Sequence, residues 1–314
     1  MRVMNMSIQN EKNISYLYSI YMTAISEGLR ARSFQIYPSR YLYPTDIIQQ
    51  DSNMRMQNVI KRNFMDKYDL YIFFGEFNNL TDIYKIKNDI EAPIVPYFFT
   101  EGQIITCLNS ENKDLIENAK IIFIRQPHLK MYLEDYDDKV VYLNSPCSVN
   151  PSDTSMRSDD VEYIIPDAWT SIGSFTRGDV YGSAIAKAQV ICDDKMLGYI
   201  EINKKTRGRV LSILSQLDVM IDSHNSEFYS QAAIESGMMG IPTITSVNAA
   251  LEEYVKDSPF ILTDSQHLSE HIVDAIENNE DHKNNTAYNK FFERHEPKQA
   301  SAQLLRQLKK MDVI

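Results

Sequence analysis

Cysteine is scarce in this sequence. The chain has three cysteines, Cys107, Cys147 and Cys192, which lie far apart and include no Cys-x-x-Cys pair. An odd number at this spacing argues against a disulfide framework and against a zinc site. We therefore expect reduced thiols, as in a cytoplasmic protein, and the sequence indicates no bound metal.

Long apolar runs are missing as well. No run approaches the roughly 18 residues that a membrane-spanning helix needs. The first residues lack the layout of a secretory signal peptide. Both observations favour a cytoplasmic protein without a membrane span.

Basic residues and glycines are also few. Lysine and arginine number 32 against 43 acidic residues, and the formal net charge is −11. This balance disfavours a large nonspecific nucleic-acid surface, although it is compatible with a local basic cleft. With 10 glycines in the chain, each glycine cluster is more informative than usual. The hydrophobic fraction of 43% supports ordinary folded cores and argues against disorder.

Short apolar runs alternate with helical stretches along the chain. In the first half we predict strands at residues 2–8, 33–37, 68–74, 93–99, 119–124 and 140–143. In the second half we predict strands at 162–165, 196–202, 219–222 and 242–246, and helices at 179–191, 209–216, 230–239 and 268–277. This alternation is typical of a parallel sheet covered on both faces.

The polar segment 150–160 interrupts the alternation, and we place a domain linker there. A chain of 314 residues is long enough for two α/β domains of about 150 residues each. The sequence therefore predicts an α/β fold with two Rossmann-like domains, residues 1–150 and 151–314, whose parallel sheets face a central cleft. A last helix at 301–310 is expected to cross back to the first domain.

The most informative stretch is residues 222–245, in which a predicted strand, a polar loop and a helix lead into another strand. Glu227 lies in the loop and Glu235, eight residues later, lies in the helix before a Gly240-Ile241-Pro242 turn. A loop carboxylate can reach sugar hydroxyls, and a helix carboxylate can accept two hydrogen bonds from ribose hydroxyls. The helix N-terminus offers N–H groups to a diphosphate. The alternative is that both glutamates simply face solvent.

This stretch resembles the second domain of GT-B glycosyltransferases. Retaining members of that class carry a glutamate, seven residues, a second glutamate and a Gly-x-Pro turn, which Glu227, Glu235 and Gly240 match. The resemblance implies that the carboxyl-terminal domain binds a nucleoside diphosphate sugar, with Glu235 on the ribose. Tyr229 and Ser230 are included among the expected donor-binding residues.

Residues 172–182 form a second motif between a predicted strand and a helix. Gly173 and Gly178 would let backbone N–H groups approach a phosphate, and Arg177 would supply a permanent charge. Asp179 stands where a P-loop has its lysine, so the motif is not a P-loop. An ordinary strand-to-helix turn is the alternative. Ser174 and Phe175 complete the expected phosphate loop, with Lys204 and Arg207 as further basic candidates.

Glu101 marks the third motif. It follows the apolar segment 93–99 and is expected at the carboxyl end of a first-domain strand, where it could act as the general base for an acceptor hydroxyl. A loop glutamate without a role is the alternative.

Together, the three motifs resemble in layout the DNA β-glucosyltransferases of T-even phages. That family has a catalytic carboxylate after an aromatic-Phe-Thr strand end, a Gly-Ser-Phe loop with arginines, and a helix glutamate on the ribose. The resemblance implies Glu101 as base and a 5-hydroxymethylated pyrimidine of duplex DNA as the favoured acceptor, in the host cytoplasm. The sequence departs from the family because its base is an aspartate and because Arg177 is displaced by one position. The phage enzymes invert, whereas the Glu227–Glu235 pattern is a retaining one, so the stereochemistry stays open.

Other candidate residues carry weaker signals. Asp135-Tyr136-Asp137 is an Asp-x-Asp in an acidic turn, and His224 lies in the Glu227 loop, where it could touch substrate. His267 and His271 are four residues apart, but no third ligand is near them in sequence.

We therefore expect a glycosyltransferase that uses a nucleoside diphosphate sugar, with a UDP-sugar favoured and no tightly bound cofactor. A divalent metal is compatible with this expectation but not indicated. The alternatives are a retaining bacterial-type transferase acting on a glycan, lipid or small molecule, and a non-catalytic sugar-nucleotide-binding protein. The sequence does not give the oligomeric state.

Overall fold

A computed structural model describes residues 2–7, 30–35, 68–74, 90–147, 149, 169–175, 178–202, 207–222, 227–264, 266–283 and 286–313. The chain divides into two compact units, Met1–Pro146 with Pro297–Ile314, and Cys147–Glu296. The predicted linker at 150–160 and the predicted strand at 162–165 lie outside the described residues, so they stay predictions. No helix among the described residues is long and apolar enough to cross a membrane.

The first unit contains a six-stranded parallel sheet in the order β2-β1-β3-β4-β5-β6. Its strands are β1 (Arg2–Ser7), β2 (Arg30–Gln35), β3 (Leu70–Phe74), β4 (Ile94–Phe98), β5 (Ile122–Ile124) and β6 (Val140–Tyr142). Between β4 and β6 lie helices α1 (Glu101–Leu108) and α2 (Lys113–Glu117) and the 3₁₀ helix Pro127–Tyr136. All six strands overlap the predicted ones. The described side chains of β3, β4 and β5 are buried apart from Ile94, as expected for strands covered on both faces.

Alternate residues of β3 point to opposite faces of this sheet, and each face has its own core. Tyr71 and Phe73 belong to the cluster that α1, α2 and the 3₁₀ helix cover, whereas Leu70 and Ile72 belong to the other cluster. The last helix, α9 (Pro297–Lys310), contributes Ala300, Leu304 and Leu308 to that second cluster. The carboxyl-terminal helix therefore covers one face of the amino-terminal sheet, which is the position expected for residues 301–310.

The second unit contains a five-stranded parallel sheet in the order β11-β10-β9-β7-β8. Its strands are β7 (Trp169–Ser174), β8 (Met196–Glu201), β9 (Val219–Ile221), β10 (Thr243–Thr245) and β11 (Phe260–Leu262). Its helices are α3 (Gly178–Ile191), α4 (Arg207–Leu214), α5 (Gln231–Met238), α6 (Leu268–Glu277), α7 (Asn279–Lys283) and α8 (Ala287–His295), with the 3₁₀ helix Ala249–Tyr254. A core containing Ile172, Ile221 and Ile244 packs against α3 and α6.

The turn from α5 into β10 forms as its sequence predicts. Gly240 has φ of +73°, a left-handed conformation that glycine adopts without steric cost. The Ile241 N–H donates to the Ser236 carbonyl and the Gly240 N–H to the Gly237 carbonyl, both at 3.0 Å. This pair of bonds is a Schellman motif, which satisfies the last carbonyls of the helix and directs the chain into β10.

Candidate functional site

Strand order locates the candidate site of the second unit. β7 has β8 on one side and β9 on the other, so the direction of winding changes between β7 and β9. In open α/β sheets ligands bind outside the carboxyl ends of the strands at such a switch point. The segments that leave these two ends are residues 175–178 and 222–230, which contain most of the predicted donor-binding residues.

Asp222, at the carboxyl end of β9, organises this edge of the sheet. Its carboxylate is 5% exposed and accepts hydrogen bonds from the Ser230 N–H and the Thr245 hydroxyl, each at 3.0 Å. The Ser230 hydroxyl donates to the other carboxylate oxygen. Charge-assisted bonds of this kind hold the start of α5 against β9 and β10. From the sequence, Asp222 was identified only as the end of a strand. An aspartate that lies between a buried strand and a helix-capping serine is a pattern that could have indicated this network.

Ser230 is the N-cap of α5, and its role in donor binding stays a prediction. Its hydroxyl accepts from the Ala232 N–H at 3.0 Å and the Ala233 N–H at 3.4 Å while it donates to Asp222. The cap satisfies these two N–H groups of the helix N-terminus, so Ser230 stabilises the helix start.

Replacing Ser230 by alanine is expected to lower the free energy of unfolding by about 1–3 kcal/mol, because the helix loses its cap and Asp222 loses a donor. Urea unfolding measures this change. Ser215→Ala is the matched control, since its hydroxyl donates only to the Ser212 carbonyl, away from the site. An unchanged stability combined with weaker nucleotide binding would return Ser230 to the ligand-contacting set.

The two glutamates of the predicted pair have different surroundings. Glu235 lies in α5 and is 5% exposed. Glu227 is exposed; it accepts a hydrogen bond from the Asn248 amide at 2.7 Å, and its carbonyl accepts from the Asn248 N–H at 3.1 Å. The Asn248 contacts hold the loop residue Glu227 beside the segment that follows β10. The assignment of both residues to a donor site stays a prediction.

Tyr229 lies in an aromatic cluster rather than on an exposed surface. It is 3% exposed and contacts Phe228, Phe260 and Phe291, with ring centroids 4.1, 5.0 and 6.3 Å away. Its hydroxyl lies 3.3 Å from Nε2 of the buried His295. These contacts give Tyr229 a packing role beside the loop, and its contact with the donor stays a prediction.

The glycine motif at 172–182 is partly strand, not loop. Gly173 and Ser174 are buried residues of β7. A Cβ atom at Gly173 would lie 2.3 Å from Cδ1 of Leu217, so close packing against this side chain explains the missing side chain there. Phe175 follows the strand end, and α3 begins at Gly178. The predicted phosphate loop is therefore shorter than the motif.

Arg177, Lys204 and His224 lie outside the described residues, and Arg207 is the first residue of α4. Their roles in binding a donor stay predictions.

Glu101 is the first residue of α1, directly after the N-cap Thr100. Thr100 and Gln103 form a capping box, in which Oε1 of Gln103 accepts from the Phe99 N–H at 2.7 Å and the Thr100 N–H at 3.2 Å. Glu101 is exposed and accepts a hydrogen bond from the Tyr132 hydroxyl at 2.5 Å. The structure thus places an oriented carboxylate just beyond the carboxyl end of β4.

The weaker candidates are engaged in local contacts. Asp137 forms an ion pair with Lys130 at 2.8 Å. His267 Nδ1 contacts Asp264, and these contacts raise the pKa of His267 and lower that of Asp264, whereas His271 Nδ1 contacts the Thr263 hydroxyl at 2.8 Å. Among the residues described, no group of three or more His, Cys, Asp or Glu could hold a metal ion. Cys107, Cys147 and Cys192 are buried, and burial raises the pKa of the Cys192 thiol.

Neither a protein-family model nor a curated protein matches the chain. Solved structures do match over almost the full length. Sucrose-phosphate synthase from Thermosynechococcus elongatus aligns with a TM-score of 0.63 at 12% identity, covering 99% of both chains. A glycosyltransferase involved in avilamycin A biosynthesis aligns with a TM-score of 0.58 at 11% identity, covering 99% of this chain and 98% of the other.

The chain has the GT-B fold. The same fold is found in a UDP-N-acetylglucosamine 2-epimerase from Listeria monocytogenes, which aligns with a TM-score of 0.59 at 11% identity and covers 99% and 96% of the two chains. At such identities the comparison concerns the fold alone. It supports the predicted GT-B architecture, whereas the closer resemblance to the phage DNA β-glucosyltransferases and the Glu227–Glu235 pattern stay predictions.

Proposed function

We propose that this GT-B protein transfers a sugar from a nucleoside diphosphate sugar, with a UDP-sugar favoured, to an acceptor hydroxyl. The observation that carries the proposal is the switch-point edge of the second sheet. There Asp222 organises the segment that bears Glu227, and α5 carries the buried Glu235. Glu235 would accept hydrogen bonds from the ribose hydroxyls, and Glu227 would contact the transferred sugar.

The first unit would supply the base. In an inverting reaction the Glu101 carboxylate takes the proton of the acceptor hydroxyl, and the acceptor oxygen forms a bond to the anomeric carbon. The bond from that carbon to the diphosphate breaks, and the nucleoside diphosphate leaves with the electron pair. In a retaining reaction the leaving diphosphate can accept the proton, so Glu101 would be dispensable.

For the acceptor we favour a small molecule or a glycan over duplex DNA. The DNA expectation depends on the phage-enzyme resemblance alone, and a net charge of −11 opposes binding to a polyanion. The fold is shared with sucrose-phosphate synthase and with an enzyme of avilamycin A biosynthesis, which supports a carbohydrate or natural-product acceptor.

A thermal-shift panel of UDP-, GDP- and dTDP-sugars is the first test. A ligand at about 100 times its dissociation constant stabilises the folded state by about 2.7 kcal/mol. The matching donor is then incubated with sugars, sugar phosphates, polyphenols and hydroxymethylated duplex DNA, and glycosylated product is detected by mass spectrometry.

Each outcome decides between candidate functions. Product with a small acceptor supports the proposal, and product with DNA alone restores the phage-type acceptor. Isomerisation of a UDP-sugar without an acceptor would make the chain an epimerase. Binding without turnover of any acceptor would identify a sugar-nucleotide-binding protein, and no binding of any sugar nucleotide would refute the proposal.

A further inference from the structure

Gln231, the first residue of α5, carries a buried side-chain amide. The residue is 4% exposed, and neither Oε1 nor Nε2 has a hydrogen-bond partner among the residues that the structure describes. Buried amides are almost always paired, because leaving both atoms unsatisfied costs stability. The unpaired buried amide of Gln231 therefore indicates a bound ligand or another specific cause.

The position of Gln231 relates it to Glu235. The two residues are four apart in α5, so they lie on the same face of the helix, with about 5–6 Å between Cβ atoms. The Asp222 network holds the start of this helix at the switch-point edge of the sheet. The side chains of Gln231 and of Glu235, which the proposed function assigns to the ribose, therefore leave α5 on the same face, about one turn apart.

The chemistry of the amide limits the kinds of ligand group that it could bind. A glutamine side chain offers an acceptor oxygen and a donor nitrogen, and both are unpaired here. A phosphate supplies acceptors only, so it would leave Oε1 without a partner. A vicinal diol supplies donors and acceptors together, and therefore it can satisfy both atoms.

We propose that Gln231 is a second ribose-contacting residue, which shares the vicinal diol of the nucleotide donor with Glu235. This inference rests on the proposed function, because it requires that a nucleotide bind at α5. The paired contacts make the site selective for ribonucleotides, since a polar group left unpaired by a deoxy analogue disfavours that analogue strongly. The covering side chains must move when the nucleotide binds, which is expected to slow association.

The test compares Gln231→Met with the wild-type protein. Methionine keeps a similar length and a high helix propensity but removes both hydrogen-bonding atoms. UDP, GDP, ADP and CDP are titrated by calorimetry, followed by the 2′,3′-dideoxy analogue of the nucleotide that binds most tightly. We expect Gln231→Met to weaken binding of the ribonucleotide about three- to ten-fold. The dissociation constant of the dideoxy analogue divided by that of the ribonucleotide should be smaller for the variant than for the wild-type protein. The reason is that the variant has already lost one contact to the diol.

Ser212→Ala is the matched control. Ser212 is 8% exposed, and its hydroxyl also has no partner among the described residues, but it lies in α4. Both variants remove an unpaired buried polar group, so both should unfold at an unchanged or higher temperature, whereas only Gln231→Met should change nucleotide binding.

Two failures are distinguishable. If the wild-type protein binds none of the four nucleotides and no sugar nucleotide of the thermal-shift panel, the proposed function fails and the inference fails with it. Binding of a dTDP-sugar alone would leave the proposed function standing and refute the inference, because deoxyribose has no vicinal diol. If the wild-type protein binds one of them, and Gln231→Met binds it equally well with the same dideoxy-to-ribo ratio, the proposed function stands and Gln231 has no contact with the ribose. Gln231→Leu, which also removes both hydrogen-bonding atoms and keeps a high helix propensity, provides a second variant with the same expected loss of selectivity.

Discussion

Replacing Glu101 by glutamine is expected to reduce the rate of sugar transfer by about a hundred- to ten-thousand-fold, the usual effect of losing a general base. Glutamine keeps the shape of the side chain, and its oxygen can still accept the hydrogen bond from Tyr132. The substitution therefore removes basicity with little change in structure. The rate is measured under saturating donor with the acceptor that the screen identifies, and donor affinity should stay within about two-fold, because binding and proton transfer are separate contributions.

Glu134→Gln is the matched control for this variant. Glu134 is an exposed glutamate of the 3₁₀ helix that also carries Tyr132, so its loss changes the charge of the first unit equally. It should leave turnover nearly unchanged. The anomeric configuration of the product is determined in the same experiment, by nuclear magnetic resonance.

The product configuration and the rate together decide between mechanisms. An inverted product with a large loss of rate supports Glu101 as the base. A product with retained anomeric configuration and nearly wild-type turnover would contradict both the base assignment and the phage-enzyme resemblance. The retaining GT-B class, whose glutamate pair Glu227 and Glu235 match, would then be the better model.

The strands could be predicted from sequence because their signal is local. Runs such as 68–74 and 93–99 are apolar throughout, and each contains the strand that the structure places at the centre of the first sheet, β3 or β4. The helix predicted at 268–277 has the bounds of α6. Strand β11 (Phe260–Leu262) was missed, although it is no shorter than β9 and β10, which were predicted.

The roles of individual site residues could not be predicted because they depend on partners far away in the sequence. Gly173 has no side chain because Leu217 packs against it, and Tyr229 is buried because Phe291 and His295 surround it. A local motif cannot distinguish a glycine that approaches a phosphate from one that accommodates a leucine. The unpaired amide of Gln231 is likewise recognisable only once its surroundings are known.

Glu235→Ala is expected to weaken binding of the bare nucleoside diphosphate by about 1.5–3 kcal/mol, the value of hydrogen bonds to a charged group, or about ten- to a hundred-fold. Glu235 lies in α5 at the switch-point edge of the sheet, where its carboxylate would accept bonds from the ribose diol. Isothermal titration calorimetry with UDP, or with the nucleotide that the panel identifies, measures the loss.

Glu227→Ala separates the two glutamates. Glu227 is exposed and is expected to contact the transferred sugar, so its loss should weaken binding of the nucleotide sugar and leave binding of the bare diphosphate unchanged.

Because Glu235 is 5% exposed, its replacement can also alter the fold. Glu235→Gln, which preserves volume, is therefore measured in parallel, with a thermal melt of each variant. An unchanged nucleotide affinity in a folded Glu235 variant would remove this residue from the site. If the affinity for the bare nucleotide falls in the Glu227 variant and not in the Glu235 variants, the nucleotide binds at the loop and not at α5. The proposed contact between Gln231 and the ribose would then be wrong as well.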